Sequence, residues 1–238
     1  MSRTLALIHT SPTLTPLFGR LCAEYIPSAN VFHMVDESLI KDTVREGSLQ
    51  RVTIRRLLWM IESAEQAGAD AVLVTCSSIG EGVEIGQRLF DIPVIRVDEA
   101  MARKAVRIGR RIGVMATLRT TLEPTVALLH AKAAEAGIRI EITEALCEGA
   151  FEAVVSGDQA THDRVLTAAL KNDMKGVDVV VLAQASMASV LKSLPAGTVS
   201  MPVLTSPELG VMAVRDVIDA LDSQALARVS TNGQKVGR

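Results

Sequence analysis

The stretch Gly68-Ala69-Asp70-Ala71-Val72-Leu73-Val74-Thr75-Cys76-Ser77-Ser78 decides the architecture, because it is echoed by Gly176-Val177-Asp178-Val179-Val180-Val181-Leu182-Ala183-Gln184-Ala185-Ser186. Each copy holds a continuously apolar run, as expected of a strand covered on both faces of a parallel sheet. Working outward, each copy is followed by a second strand that carries a proline, Ile92-Pro93-Val94-Ile95 and Met201-Pro202-Val203-Leu204. The spacings agree, with 17 positions from Cys76 to Pro93 and 18 from Gln184 to Pro202. The half-starts correspond as well, Leu5-Ala6-Leu7-Ile8-His9-Thr10 against Ile112-Gly113-Val114-Met115-Ala116-Thr117. The chain is therefore an internal duplication.

β-branched runs near 4–9, 31–35, 70–75, 92–97, 111–116, 138–143, 177–183 and 199–204 predict strands, with helical patterns in the gaps. Alternation of this kind predicts an α/β fold of two pseudo-symmetric lobes, each a mainly parallel sheet flanked by helices. Lobe 1 is expected over 1–104, with a C-terminal helix at 206–229 packing back on it, and lobe 2 over 105–205. Polar residues 230–238 read as a flexible tail. Glu123-Pro124 is placed in an early helical turn, Ala136-Gly137 at that helix's end and Gly157-Asp158 between the next two helices. Ligands of such sheets bind beyond the carboxyl ends of the strands, so the cleft between the lobes receives loops beginning at His9, Cys76, Thr117 and Gln184.

Composition narrows the function classes. The 238 residues carry 25 Lys+Arg against 27 Asp+Glu, and only 3% are aromatic. That balance lacks the basic surface and stacking rings of a nucleic-acid binder. The longest stretches free of charged residues, 4–19 and 193–207, are interrupted by prolines and shorter than a membrane helix requires, and no apolar leader follows Met1, so a cytoplasmic protein is expected. Three cysteines, Cys22, Cys76 and Cys147, lack paired spacing, and no His/Glu/Asp spacing suggests a metal site.

Cys76 ends a buried strand and opens a small polar turn, with Ser77, Ser78 and Gly80, into a helix starting near Gly80 or Glu81. A thiol facing helix N–H groups is expected to have a lowered pKa, and the same N–H groups and serine hydroxyls suit a carboxylate or a developing enolate. Cys22, on an amphipathic helix with Phe18, Leu21 and Tyr25, and Cys147, near a helix start, read as structural. Gly80-Glu81-Gly82-Val83-Glu84-Ile85-Gly86, with Asp98 and Glu99 further on, imitates a dinucleotide fingerprint, but Cys76 to Ile79 separate the first glycine from its strand, and tight helix entry explains the glycines. His9, with Thr10 and Ser11, follows the first strand and is a candidate to touch an anionic ligand or act as an acid. Thr117 and Thr120 open the matching loop of lobe 2, as carboxylate ligands or N-caps. His162, Asp163, Glu24, His33 and His130 read as surface or capping groups.

At these strand ends the chain resembles the aspartate/glutamate racemase superfamily, which also contains hydantoin racemase, maleate cis-trans isomerase and arylmalonate decarboxylase. The resemblance rests on Asp70–Ser78, on Ile112-Gly113-Val114-Met115-Ala116-Thr117 with Thr120, and on Val179–Met187, and it covers most of the chain. It implies flavodoxin-like lobes, no cofactor, a homodimer or higher homo-oligomer, and two facing cysteines that remove and return a proton beside a carboxylate. Here the second cysteine is replaced by Gln184, and an amide is no base near neutral pH. Arylmalonate decarboxylase also retains one thiol, at the other position, while maleate isomerase uses the first cysteine as a nucleophile. The expected activity is a cofactor-independent isomerase or racemase-like reaction on a small carboxylate, with Cys76 as base or nucleophile and Gln184 orienting the substrate or donating to its oxyanion. Thr10, Ser11, Thr75, Ser77, Ser78, Thr117, Thr120, Ala185 and Ser186, with His9, are the expected substrate-binding set. A decarboxylase with Cys76 as proton donor, and a non-catalytic carboxylate-binding relic, are the alternatives. Asp36, Glu37, Glu81 and Asp98 are candidate partners for an α-amino group.

Overall fold

A computed structural model describes residues 2–194 and 197–235. The first sheet is built from β1 (Thr4–His9), β2 (Asn30–Val35), β3 (Ala71–Val74) and β4 (Val94–Arg96), in the order β2-β1-β3-β4. Its helices are α1 (Thr15–Tyr25), α2 (Glu37–Glu46), α3 (Arg51–Gln66) and α4 (Gly80–Leu89), followed by α5 (Glu99–Ile108). The second sheet repeats the plan, with β5 (Arg111–Ala116), β6 (Glu141–Leu146), β7 (Val179–Leu182) and β8 (Val203–Thr205) in the order β6-β5-β7-β8. Around it lie α6 (Arg119–Glu135), α7 (Ala150–Val155), α8 (Gln159–Asn172), α9 (Val190–Ser193) and α10 (Ser206–Lys235). Every strand pairing among the described residues is parallel. Among the described residues no helix is long and apolar enough to cross a membrane.

Strand alternation partitions the core. Leu5, Leu7, Ala71 and Leu73 face Phe18 and Cys22 of α1, whereas Ala6, Ile8, Val72 and Val74 face Leu57 and Ile61 of α3 and Val83 of α4. In the second lobe Ile112, Val114, Val179 and Val181 pack on α5 and α6, and Met115, Val180 and Leu182 on α8. The paired Gly-x-Asp elements have one physical role in both lobes. Gly68 and Gly176 adopt positive φ, of 87° and 77°, which glycine alone adopts freely. Asp70 then accepts the Thr4 N–H at 2.8 Å, and Asp178 the Arg111 N–H at 2.9 Å, so each carboxylate fastens the start of the neighbouring central strand.

Two strands start three or more residues later than their sequence pattern suggests. The Ile138 N–H is consumed by Ala133 O at the end of α6, so β6 pairs only from Glu141; Pro202 donates no hydrogen bond, and β8 begins after it. Pro124 lies inside α6, beyond its first turn. The boundary expected at 104/105 falls within α5, whose Met101, Ala102 and Ala105 pack on the second sheet. Reciprocally, Val211, Val214 and Ile218 of α10 pack on the first. α10 runs to Lys235, past the expected end at 229 and into the stretch read as a tail; residues 236–238 of that stretch lie outside the described residues.

Candidate active site

β3 delivers Cys76 to the carboxyl edge of the first sheet, and the chain leaves through a single 3-10 turn, Ser77–Ile79, into α4. The sulfur lies against the N–H groups of Ser78 and Ile79 and the hydroxyls of Thr10 and Ser78. Desolvation nevertheless outweighs these donors and pushes the Cys76 thiol above its ordinary value. This corrects the expectation of a lowered pKa: the helix terminus supplies the anticipated hydrogen bonds, but the surroundings are too dry for them to prevail. Cys22 and Cys147 are buried and pushed up to about 11, in keeping with structural thiols.

The turn is held from beneath and from across the cleft. Arg96, 4% exposed, makes two 3.0 Å hydrogen bonds to the fully buried Asp98 and a further ion pair to Glu84. Its guanidinium occupies the space a Cβ on Gly80 would need, and Gly82 and Gly86 meet Leu57 and Ile61 in the same close manner. The glycine pattern is thus used for packing. Across the cleft, the Ser78 and Thr121 hydroxyls are 2.7 Å apart and buried, joining the Cys76 turn to α6.

In the second lobe Gln184 takes the place of Cys76, at the end of β7 and before a 3-10 turn, Ala185–Ser189. Its Oε1 accepts the Thr117 N–H at 2.6 Å and the Thr117 hydroxyl at 2.9 Å. The amide acceptor is thereby occupied, and the Nε2 donors remain for the cavity.

A cavity of about 390 Å³ lies between the lobes and unites Thr10, Ser11, Thr75, Cys76, Ser77, Ser78, Gln184, Ala185 and Ser186. His9, Thr117 and Thr120 are not in its wall. Thr117 acts behind Gln184, and the buried Thr120 hydroxyl has no partner among the described residues. His9 is fully buried, with Nδ1 2.8 Å from Thr75 Oγ1 and Nε2 2.8 Å from His33 Nδ1. His33 is half-buried and stacks on it; His162, expected at the surface, is also fully buried, beside Asp163. The sequence reading missed Thr121, Leu118 and the α7 residues Phe151, Val154 and Val155, all in the wall. The signal for α7 was present as the i, i+3, i+4 spacing of three large apolar residues on a short helix. Of the four acidic candidates only Glu37 reaches the cavity. No cluster of three or more metal-ligating side chains occurs among the described residues.

Burial, with the His33 charge as a smaller contribution, lowers the His9 pKa to about 4. The unfolded state, with a histidine near the ordinary value of about 6.5, binds the proton first as pH falls. Stability contributed by neutral His9 is therefore lost between about pH 6.5 and about pH 4, by about 3 kcal/mol in total. Urea unfolding across that range is expected to show a shallower pH slope in His9→Gln than in the wild type; equal slopes would exclude His9 as a source.

No curated protein sequence gives a significant match. Among solved structures the fold is similar to glutamate racemase from Francisella tularensis in complex with D-glutamate (TM-score 0.72, 14% identity, 93% of this chain and 82% of that one). It is also similar to glutamate racemase from Thermus thermophilus in complex with β-chloro-D-alanine (TM-score 0.71, 17% identity, 94% and 82%). Allantoin racemase from Klebsiella pneumoniae shares it too (TM-score 0.65, 19% identity, 93% and 89%). At these identities the likeness is one of fold. The sequence profile of the Asp/Glu/Hydantoin racemases, however, matches residues 7–214, spanning the central strands of both lobes and both strand-end turns, and the chain therefore belongs to the Asp/Glu/Hydantoin racemase family.

Proposed function

We propose that this protein is a cofactor-independent isomerase of small carboxylates, in which Cys76 exchanges a proton with the carbon beside the carboxylate. The observation that carries this reading is the bonding of Gln184. With its oxygen held by Thr117, the amide is a donor and not a base, so acid–base chemistry is confined to the side of Cys76. Abstraction gives an enediolate whose charge is met by Gln184 Nε2 and by the hydroxyls of Ser77 and Ser186 in the cavity wall. The N–H groups of Ser78 and Ile79 and the Thr10 hydroxyl stabilise the thiolate while the proton is on carbon. Return of the proton to the same carbon, on the face it left, gives exchange without racemisation; where the acid carries a β,γ double bond, delivery of the proton to the γ-carbon of the conjugated dienolate instead moves the double bond to the α,β position.

The upward shift of the Cys76 pKa favours a second reading. A resting thiol is an acid, and a decarboxylase needs only one acid to protonate the carbanion left when carbon dioxide departs. Incubation with small carboxylates in deuterated water separates the two. The isomerase is expected to place deuterium in a single configuration with no release of carbon dioxide, and the decarboxylase to place one deuterium with stoichiometric release. Racemic labelling would refute the one-sided chemistry common to both.

A further inference from the structure

Part of the cavity wall is apolar and is not accounted for by packing of the core. α7 turns its small residues inward, with Ala150 and Ala153 buried, and its large ones, Phe151, Val154 and Val155, toward the cavity. None of those three belongs to any of the four apolar core clusters, and Val155 is 70% exposed. A helix that only packed on the sheet would do the reverse. Ile40 and Leu118 line the cavity as well and are likewise outside the core clusters. The fold thus leaves apolar surface in the same cavity as the Cys76 turn, at a cost in exposure that a bound apolar group would recover.

Charge in the cavity is as informative. Among the described residues the only charged ones in the lining are Glu37 and Lys41, neighbours on α2 that pair with each other at 3.6 Å and are 50% and 68% exposed. The floor offers hydroxyls, N–H groups and the Gln184 amide, enough donors for one carboxylate. The other candidate carboxylates are committed or displaced: Asp36 bonds Arg56 and the N-terminus of α2, Asp98 bonds Arg96, and Glu81 is outside the cavity. A second carboxylate or an ammonium group on the ligand would find as counter-charge only the exposed Glu37–Lys41 couple, whose members are paired with each other and screened by solvent, so it gains little there against the cost of its own desolvation.

We propose, resting on the carboxylate reading above, that the site takes a monocarboxylate bearing an apolar substituent, with the carboxylate at the Cys76–Gln184 floor and the substituent against Phe151 and Val154. Amino acids and dicarboxylates are poor ligands. Isothermal titration of the full-length protein with isovalerate, phenylacetate and 2-hydroxy-4-methylpentanoate, against glutamate, aspartate and malate, tests it. The apolar monoacids are expected to bind at least about tenfold more tightly. Phe151→Arg is expected to invert the order by supplying a cation for a second carboxylate, and the milder Val154→Thr to weaken the monoacids alone. Tighter binding of the charged acids, binding of neither class, or an unchanged order in a folded Phe151→Arg protein would overturn it. These readouts do not depend on turnover: apolar acids that bind without proton exchange refute the isomerase and leave the ligand class standing, whereas labelled dicarboxylates do the opposite.

Discussion

Cys76→Ala is expected to lower the rate of solvent-deuterium incorporation into a carboxylate substrate by about 10²–10⁴-fold, the usual worth of a positioned acid–base group. Cys22→Ala and Cys147→Ala are expected to stay within a few-fold of the wild type, because both thiols lie in apolar clusters away from the cavity. Cys76 is the one cysteine with its sulfur among N–H and hydroxyl donors at the cleft. Among the described residues its loss removes the one titratable group in the wall besides the exposed Glu37 and Lys41. Cys76→Ser tests the same point at nearly constant volume, and is expected to be as inactive, since a hydroxyl in that position is a far weaker acid. Comparable labelling by the wild type and Cys76→Ala would exclude the thiol from the chemistry.

The second large effect concerns stability. Asp98→Ala leaves the Arg96 guanidinium, 4% exposed, without the carboxylate that accepts two of its hydrogen bonds, while its other partner, Glu84, is 45% exposed. Breaking one side of a buried pair in this way costs about 3–5 kcal/mol. For a chain of this length that corresponds to a fall in Tm of about 6–20 °C, measurable by circular dichroism. Replacing both partners by apolar residues, Arg96→Met with Asp98→Leu, is expected to recover most of the loss, because no unpaired charge is then buried. A Tm for Asp98→Ala within about 3 °C of the wild type would mean that water reaches the guanidinium. The pair also underlies Gly80, so the single variant is expected to disturb the Cys76 turn along with the fold.

The duplication, the strand positions and the two strand-end turns were legible because they depend on local pattern: apolar runs, glycine at positive φ and proline at a strand start. The residues gathered at Cys76 and Gln184 followed from their places at the ends of parallel strands, without knowledge of side-chain direction. What the sequence concealed depends on tertiary surroundings. His9 sits at a strand end like Thr10, yet its ring turns back under the sheet to Thr75 and His33. The sign of the Cys76 shift is set by the sum of everything packed around the sulfur, which no spacing encodes. Likewise Gln184 could be read as unable to act as a base, but which end of its amide faces the cavity depends on Thr117, in a different loop.

The crossing of α5 and α10 to the sheet of the other lobe has a consequence for how the molecule assembles. Each half of the duplication carries a helix that completes its neighbour, so neither half can close its own core unaided: without α10 the face of the first sheet bearing Leu5, Leu7 and Leu73 loses Val211, Val214 and Ile218. During synthesis the face of the first sheet that carries Leu5, Leu7 and Leu73 therefore stays partly open until the helix that completes its cover, the last in the chain, has been made.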